Sequence, residues 1–255
     1  MEKIISRRNP LCLHIKKLGA SRIYRESCGQ YLCDGVKLLE EAINCNAKIE
    51  TVLTSSDITF QLPANTKVYY TDRDMIDSIS PLKNAQDTLF TCIISKPCDY
   101  EIEHGIHVFL DGVQDPGNVG SIIRTANAFG VGAVLLSENC ADMYNPKTIR
   151  SSMGAIFRQD VRYSSISGLS DLRKKGFRII GATACKDSLK IYDVDYKDTI
   201  IIIGSEGSGI SGDVLQLCDE KVFIPIAPEC ESLNASVAAA IIIWEAGKSK
   251  NSKDD

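Results

Sequence analysis

Two neighbouring segments decide the fold: TIIIIGSEGSGIS at residues 199–211 and VFIPIAPECESLNASVAAAIIIWEA at residues 222–246. The isoleucine run at 200–203 predicts a strand buried on both faces, because uninterrupted β-branched residues are typical of a parallel sheet. A glycine-rich loop follows and carries one carboxylate, Glu206. The second segment predicts a strand ended by prolines, a polar loop and a long helix with Ser232 as its N-cap. Either loop alone is equally consistent with a simple turn.

A third loop of the same kind lies upstream, in VFLDGVQDPGNVGSIIRTANAFG at residues 108–130. The pattern predicts a strand that ends at Asp111, followed by a helix whose apolar residues share one face and which ends at Gly130. Arg124 lies off that apolar face, so its guanidinium is expected to be free to act. Open α/β sheets bind ligands where such loops meet at the carboxyl ends of the strands. The loop lacks the G-x-G-x-x-G pattern, which disfavours a nicotinamide-dependent oxidoreductase.

The composition argues against several classes of protein. The 255 residues are 44% hydrophobic, enough for one large or two modest domains. No apolar run reaches the length of about 18 residues that predicts a membrane span. The basic N-terminus lacks the apolar core of a secretory signal, which leaves a mitochondrial presequence as a less favoured alternative. Ten cysteines without a C-x-x-C pair, with only three histidines, argue against a metal site and favour free thiols in the cytoplasm.

Charge is distributed unevenly along the chain. Residues 1–97 carry 13 Lys+Arg against 11 Asp+Glu, whereas residues 98–255 carry 16 against 22. Basic residues are concentrated in the first 30 positions. A local basic patch can hold a phosphate backbone on an acidic protein, although a solvated basic terminus explains the same charges.

The alternation of strand and helix patterns predicts two α/β domains. The predicted parts are a smaller α/β domain at 1–97, a linker at 98–104, a larger domain with a mostly parallel sheet at 105–247 and a disordered tail at 248–255. A further helix is predicted over 146–157, within the larger domain.

The three loops together resemble the SpoU, or TrmH-like, family of RNA ribose 2′-O-methyltransferases of the SPOUT class. The matching patterns are N-x-x-x-x-x-R-x-A at 118–126, I-G-S-E-G-x-G at 203–209 and I-P-x-x-x-x-x-E-S-L-N-x-S-V-A at 224–238. Each pattern alone is weak, but the three in this order are specific and cover essentially the whole C-terminal domain. The N-terminal half more loosely resembles the family's substrate-binding domain, which is similar to ribosomal protein L30e.

This resemblance implies a fold and a cofactor that the spacing alone does not give. Members of the family tie a deep trefoil knot, bind S-adenosylmethionine in the knotted loops and pair as homodimers. Because their active site lies near the subunit interface, Arg124 is implied to serve the cofactor pocket of the partner subunit. By position, the implied cofactor-binding residues are Gly204, Ser205, Ile224, Ile226, Ser232 and Leu233.

The implied catalytic residues are Arg124, Asn118, Glu206, Ser232 and Asn234. Arg124 matches the family's key residue, but a guanidinium does not deprotonate, so we do not expect it to be the general base. We expect it to bind the phosphate beside the target ribose bidentately and to lower the pKa of the ribose hydroxyl, whose proton leaves to a phosphate oxygen or water. Asn118 is expected to orient the loop or the ribose, and Glu206 to anchor the second loop or Asn118. Ser232 and Asn234 either contact the target nucleotide or only cap the helix.

The L30e-like domain favours a structured RNA, recognised by shape and phosphates, and large-subunit ribosomal RNA is the expected substrate. The first alternative is a transfer RNA ribose 2′-O-methyltransferase, although such members more often carry short basic extensions than a full front domain. The second is a non-catalytic RNA-binding protein that has kept the fold, and the intact catalytic set argues against it. The predicted RNA-binding residues are Arg7, Arg8, Arg22, Arg25, Arg150 and Ser152.

Overall fold

The structure is a computed structural model that describes residues 2–95, 101–183 and 188–251, the last three without their side chains. The strands are β1 (Glu2–Lys3), β2 (Gln30–Asp34), β3 (Ile49–Thr54), β4 (Lys67–Tyr70), β5 (Thr88–Ile93), β6 (Ile106–Asp111), β7 (Ala133–Leu136), β8 (Asp160–Tyr163), β9 (Arg178–Ala182), β10 (Leu189–Lys190), β11 (Thr199–Gly204) and β12 (Glu220–Phe223). The helices are α1 (Pro10–Ala20), α2 (Arg22–Cys28), α3 (Val36–Asn44), α4 (Arg73–Ile79), α5 (Pro116–Ala128), α6 (Pro146–Ser152), α7 (Ile166–Lys174), α8 (Gly212–Leu217) and α9 (Ala235–Asn251). A single 3₁₀ turn, Ala155–Phe157, follows α6.

The chain forms two compact units. The first comprises Met1–Cys98 and Asp142–Arg158, and the second comprises Asp99–Ala141 and Gln159–Asp255. The predicted boundary at residue 97 falls beside the first division, and residues 98–100 of the predicted linker lie outside the described residues. The segment Asp142–Arg158, expected in the larger domain, instead groups with the first unit.

A five-stranded mixed sheet in the order β1-β4-β3-β5-β2 forms the first unit. The β1, β4 and β3 strands run parallel, while β5 is antiparallel to both of its neighbours. Alternate residues of its strands point to opposite faces. Leu32, Leu53 and Leu89 therefore pack on one side with α1 and α4. The intervening residues, Val52 and Phe90, pack on the other side with α3 and α6.

The segment Asp142–Arg158 completes the first unit through polar and apolar contacts. Arg25, only 3% exposed, donates from Nε and Nη2 to Oδ2 of Asp142 at 2.9 and 2.5 Å. Tyr144 stacks on Tyr31 with ring centroids 4.6 Å apart. A buried guanidinium that lost this carboxylate would be left with an uncompensated charge, so the pair fixes the segment to the first unit.

A seven-stranded sheet in the order β10-β12-β9-β11-β6-β7-β8 forms the second unit, and every strand pairing in it is parallel. The central strand β11 lies between β9 and β6, and its isoleucines at 200–203 are 0–2% exposed, which confirms the predicted doubly buried strand. All carboxyl ends of a parallel sheet lie at one edge, so the loops after β6, β9, β11 and β12 emerge on the same side. The predicted α/β class with a mostly parallel sheet is confirmed.

The first motif folds as its sequence predicts. The carboxylate of Asp115 accepts a hydrogen bond from the backbone N–H of Asn118 at 3.1 Å and so caps α5 at its N-terminus. Val119, Ile122, Ile123 and Ala126 are buried. Arg124 is exposed on the opposite side, as predicted. The helix stops where Gly130 adopts a left-handed φ of 64°.

The structure differs from the sequence predictions at three elements. No strand was predicted for β2, because Gln30–Asp34 is short and mixes polar residues with a cysteine. The helix predicted over 146–157 ends at Ser152, since Met153 adopts a left-handed φ of 49° and Gly154 a φ of 87°. The strand predicted in the second segment, over residues 222–226, ends already at Phe223, because Pro225 cannot donate to a ladder.

The predicted disordered tail is partly helical. Helix α9 continues to Asn251, and Lys248 pairs with Glu245 at 2.8 Å within it. Such i,i+3 pairs add a few tenths of a kcal/mol to an exposed helix. Residues 252–255 of the predicted tail lie outside the described residues. In the described parts of the chain, no helix combines the length and the apolar character needed to cross a bilayer.

Candidate functional site

A cavity of about 870 Å³, including the part open to solvent, lies at the carboxyl ends of β9, β11 and β12. Ligand pockets in open α/β sheets lie at this position, outside the carboxyl ends of the strands. Three apolar residues of α9, Ala235, Ala238 and Ile242, contribute to its wall. Six further lining residues are those to which the resemblance gives a cofactor role: Gly204, Ser205, Ile224, Ile226, Ser232 and Leu233.

The glycine loop after β11 folds back on itself tightly. The backbones of Ser205 and Gly209 exchange two hydrogen bonds, each 3.0 Å long. A Cβ atom at Gly204 would lie 2.2 Å from the carbonyl carbon of Gly209, so only glycine fits there. The backbone N–H of Ser211 donates to Oδ2 of Asp111 at 2.7 Å, which fixes the loop to the end of β6. The loop therefore presents its backbone to the cavity in one conformation.

Three of the predicted catalytic residues form a chain of hydrogen bonds. The Asn118 side chain donates from Nδ2 to Oε1 of Glu206. It accepts at Oδ1 from Nδ2 of Asn234 at 3.1 Å. Since each amide both donates and accepts, the orientation of Asn118 is fixed by its two neighbours. The chain joins the start of α5, the glycine loop and the start of α9, so the three motifs are held in one arrangement.

The N-cap of the last helix is Asn234, and the prediction of Ser232 for this role is wrong. Oδ1 of Asn234 accepts from the backbone N–H groups of Ser236 and Val237 at 3.0 and 3.3 Å. Helix α9 begins at Ala235, so Ser232 lies outside it, where its side chain lines the cavity instead. Serine and asparagine are equally good caps, so the sequence alone did not decide between Ser232 and Asn234.

Arg124 is exposed on α5 and has no hydrogen bond or ion pair with the described residues. A guanidinium retains five donors when nothing in its own chain engages it. The surrounding helix is fixed by its buried face, so the position of Arg124 on the surface is also fixed. The side chain is therefore available to an external anion.

The predicted RNA-binding residues fall into two groups. Arg7 and Arg8 are exposed. Arg22 forms an exposed ion pair with Glu26 at 2.8 Å, a weak interaction that an RNA phosphate can replace. Arg150 is half-buried on α6.

Two residues predicted to bind RNA are buried instead. Besides its contacts with Asp142, Arg25 donates from Nη1 to the carbonyl of Leu18 at 2.5 Å. Ser152 is buried and its hydroxyl donates to the carbonyl of Ile149 at 2.7 Å. We therefore assign both side chains a structural role in the first unit and not a role in RNA binding. The patterns could not show this for Arg25, because its partner is 117 positions away in the sequence.

Two residues of the site, Asp111 and Thr183, have functions that the sequence patterns do not reveal. Asp111 was recognised only as the end of a strand, yet its carboxylate anchors the glycine loop. Thr183, at the end of β9, lines the cavity. The available signal for Asp111 was an acidic residue directly after a buried strand, whereas a threonine after a strand is too common to indicate a site.

Within the described ranges, no group of three or more His, Cys, Asp or Glu side chains could hold a metal ion.

Two family models match the chain. The model of the SpoU rRNA methylase family matches residues 105–244. The model of an MRM3-like substrate-binding domain matches residues 9–89. Together they cover both units of the chain.

Individual relatives extend over nearly the full length. The chain is 29% identical to the 23S rRNA (guanosine(2553)-2′-O)-methyltransferase RlmP of Bacillus subtilis, over 96% of this chain and 98% of that protein. It is 29% identical to the 23S rRNA (uridine(2479)-2′-O)-methyltransferase of Streptomyces viridochromogenes, over 95% and 91% of the two chains. The crystal structure of the SpoU methyltransferase AviRb from Streptomyces viridochromogenes, in complex with the cofactor AdoMet, aligns with a TM-score of 0.85. It is 25% identical and covers 96% of this chain and 99% of that chain.

Proposed function

Because this chain belongs to the SpoU rRNA methylase family, we propose that it is an S-adenosylmethionine-dependent enzyme that methylates a ribose 2′-hydroxyl of large-subunit ribosomal RNA. The observation that carries the proposal is the cavity, whose wall contains all six residues to which the resemblance gives a cofactor role. Two relatives that match over nearly the whole chain are named for ribose methylation of 23S rRNA, one at a guanosine and one at a uridine. The common chemistry is therefore on the ribose, and the base remains to be mapped.

The cavity fits the proposed cofactor chemically. Its wall is mainly aliphatic, which suits an adenine ring and a methionine chain. The backbone groups of Ile226 and Leu233 have no hydrogen-bond partner among the described residues, so they can bind the polar edges of a ligand. The S-adenosylmethionine held there supplies a methyl group on a positively charged sulfur.

Arg124 is the residue that we propose to bind and orient the RNA. Its unpaired guanidinium matches a phosphate bidentately, which fixes the neighbouring ribose. The same positive charge favours the ionised form of the 2′-hydroxyl and so lowers its pKa. The hydroxyl proton leaves to a phosphate oxygen or to water, because a guanidinium cannot accept it. Positioning of this kind supplies several kcal/mol of rate acceleration.

Asn118 and Asn234 are proposed to hold the three motif loops in fixed positions around the target nucleotide. Their side chains hydrogen bond to each other and to Glu206, so a shift of one loop breaks a bond to the next. Ser232, exposed at the cavity, is proposed to contact the nucleotide or the cofactor directly. Pre-organisation of this type raises the rate because the site does not rearrange during the reaction.

The first unit is proposed to be the RNA-binding domain, with Arg7, Arg8, Arg22 and Arg150 as phosphate contacts. Its match to a substrate-binding domain model supports this assignment. Phosphate contacts fix register and orientation without reading sequence. Because acidic residues outnumber basic residues in the rest of the chain, RNA binding depends more strongly on these four arginines.

A homodimer is proposed, with helices α5 and α9 contributing to its interface. Phe129, directly after α5, and Trp244, in the middle of α9, are 40% and 54% exposed and meet edge to face with centroids 5.4 Å apart. Val237, also on α9, is 46% exposed. Aromatic residues exposed in this way are typical of interface anchors. The loops that follow β11 and β12 are proposed to form the family's trefoil knot.

A cytoplasmic location is proposed from the sulfur chemistry. Eight cysteines in the described parts of the chain are free thiols. Thiols persist in a reducing compartment, whereas exported proteins tend to form disulfides.

The test is methyl transfer from labelled S-adenosylmethionine to unmodified large-subunit ribosomal RNA and to transfer RNA, assayed in parallel with Arg124→Ala as the control. We expect label in ribosomal RNA that is lost in the variant. If only transfer RNA were labelled, the substrate would be transfer RNA and not ribosomal RNA, while the proposed methyl-transfer chemistry would stand. Absence of cofactor binding would favour a non-catalytic RNA-binding protein and refute the proposal.

A further inference from the structure

Glu206 is the charged residue of the cavity wall. The other described lining residues are aliphatic, hydroxyl-bearing or glycine. The residue is exposed, so solvent partly screens its charge and its attraction for a cation is modest. The wall thus carries one fixed negative charge in surroundings that do not otherwise select a ligand by charge.

The carboxylate of Glu206 is held in place by neutral side-chain amides. Its partner is the amide of Asn118, which accepts in turn from Asn234. Glu206 forms no ion pair with any described residue. Amides orient a carboxylate without cancelling its charge, so the negative charge remains available to a cationic ligand.

We infer that Glu206 selects the charge of the ligand, so that the cavity binds a sulfonium more tightly than the neutral thioether left after methyl transfer. The inference rests on the proposed function. When the ribose oxygen takes the methyl group, the carbon–oxygen bond forms and the carbon–sulfur bond breaks with its electron pair on sulfur. The ribose proton leaves to a phosphate oxygen or to water. The ligand loses one positive charge in this step, and the attraction of Glu206 for it is lost with that charge, which favours product release.

The test measures the dissociation constants of three ligands by calorimetry, without RNA and without turnover. S-adenosylmethionine carries a sulfonium, sinefungin carries an ammonium group at the equivalent place, and S-adenosylhomocysteine carries a neutral thioether. The variant is Glu206→Gln, whose side-chain oxygen can still accept from Asn118. The matched control is Glu231→Gln, which removes an exposed carboxylate of the neighbouring loop that is not part of the cavity wall.

We expect Glu206→Gln to weaken both cationic ligands by about fivefold, as for a partly exposed ion pair. Binding of S-adenosylhomocysteine should change by less than about twofold, since it offers no charge at this place. The control should leave all three constants unchanged. Equal weakening of all three ligands would show that Glu206 only supports the loop, and no change for any would also overturn the inference.

A second measurement uses the unaltered protein. Raising the salt concentration should weaken S-adenosylmethionine more than S-adenosylhomocysteine, because screening acts only on the charged pair. An unchanged ratio of the two constants would contradict the inference even if the variant did not fold. If the unaltered protein bound none of the three ligands, the proposed cofactor itself would be refuted, so the two failures are distinguishable.

Discussion

Replacing Gly204 with alanine should weaken cofactor binding by about 100-fold or more while the rest of the fold survives. The added methyl group would lie 2.2 Å from the carbonyl carbon of Gly209 and 2.4 Å from the backbone nitrogen of Ile210. Carbon atoms in contact settle about 3.5–4.0 Å apart, so one backbone segment must move by more than about 1 Å. Both neighbours are backbone atoms, which cannot turn away as a side chain can.

That movement breaks the two hydrogen bonds between Ser205 and Gly209. At about 1 kcal/mol for each bond, the loss is about 2 kcal/mol. Overpacking adds about 1–3 kcal/mol, so the bound loop conformation becomes less favourable by about 3–5 kcal/mol. Each 1.4 kcal/mol is tenfold in affinity, so the dissociation constant of S-adenosylmethionine should rise by about 100-fold or more.

Calorimetric titration measures this change, and Gly207→Ala is the matched control. Gly207 lies in the same loop, its backbone is outside the left-handed region, and an added Cβ meets nothing within 4 Å. The control should bind the cofactor as the unaltered protein does. Equal affinities for the two variants would refute the reasoning, since the loop would then tolerate a methyl group where the structure leaves no room.

Three further predictions concern separate parts of the chain. Arg124→Lys should lower turnover about tenfold or more and leave the cofactor dissociation constant unchanged, because lysine keeps the positive charge but lacks the paired N–H donors of a guanidinium. Near-normal turnover would exclude bidentate binding. Asp142→Ala should lower the free energy of unfolding by about 3–5 kcal/mol, since Arg25 is left buried and unpaired; a thermal shift corresponding to less than about 1 kcal/mol would contradict the buried pair. Gly132→Ala should reduce stability to urea by about 1–3 kcal/mol, because its methyl group would lie 2.5 Å from Cε1 of the buried His107; an unchanged midpoint would show that the imidazole can move.

The second unit was largely predictable because its signals are local. The isoleucines before Gly204 are buried on both faces as their pattern predicts, and the apolar stripe of α5 leaves Arg124 exposed. Hydrophobic periodicity needs only neighbours in sequence. The positions of the cofactor residues came instead from the family resemblance, since spacing alone does not identify a ligand.

Local sequence patterns do not predict which distant parts of the chain come into contact. Arg25 was expected to bind RNA because basic residues near a terminus favour that interpretation, but Asp142 buries it. The bond between Glu206 and Asn118 is one of the two roles expected for that carboxylate, whereas the further bond from Asn234 to Asn118 was not predicted and adds a third segment far away in sequence. Helix boundaries failed for a different reason: at Ser232 and Asn234, two good capping residues compete within three positions, and tertiary contacts decide between them.

The most direct test of the central claim identifies the methylated atom. Large-subunit ribosomal RNA is methylated in vitro by the protein with S-adenosylmethionine, digested to nucleosides and analysed by mass spectrometry, with the Arg124→Ala variant as the control. We expect one new nucleoside with its methyl group on the ribose 2′-oxygen, absent from the variant sample. A nucleoside methylated on its base, or a ribose product that persists in the variant, would contradict it.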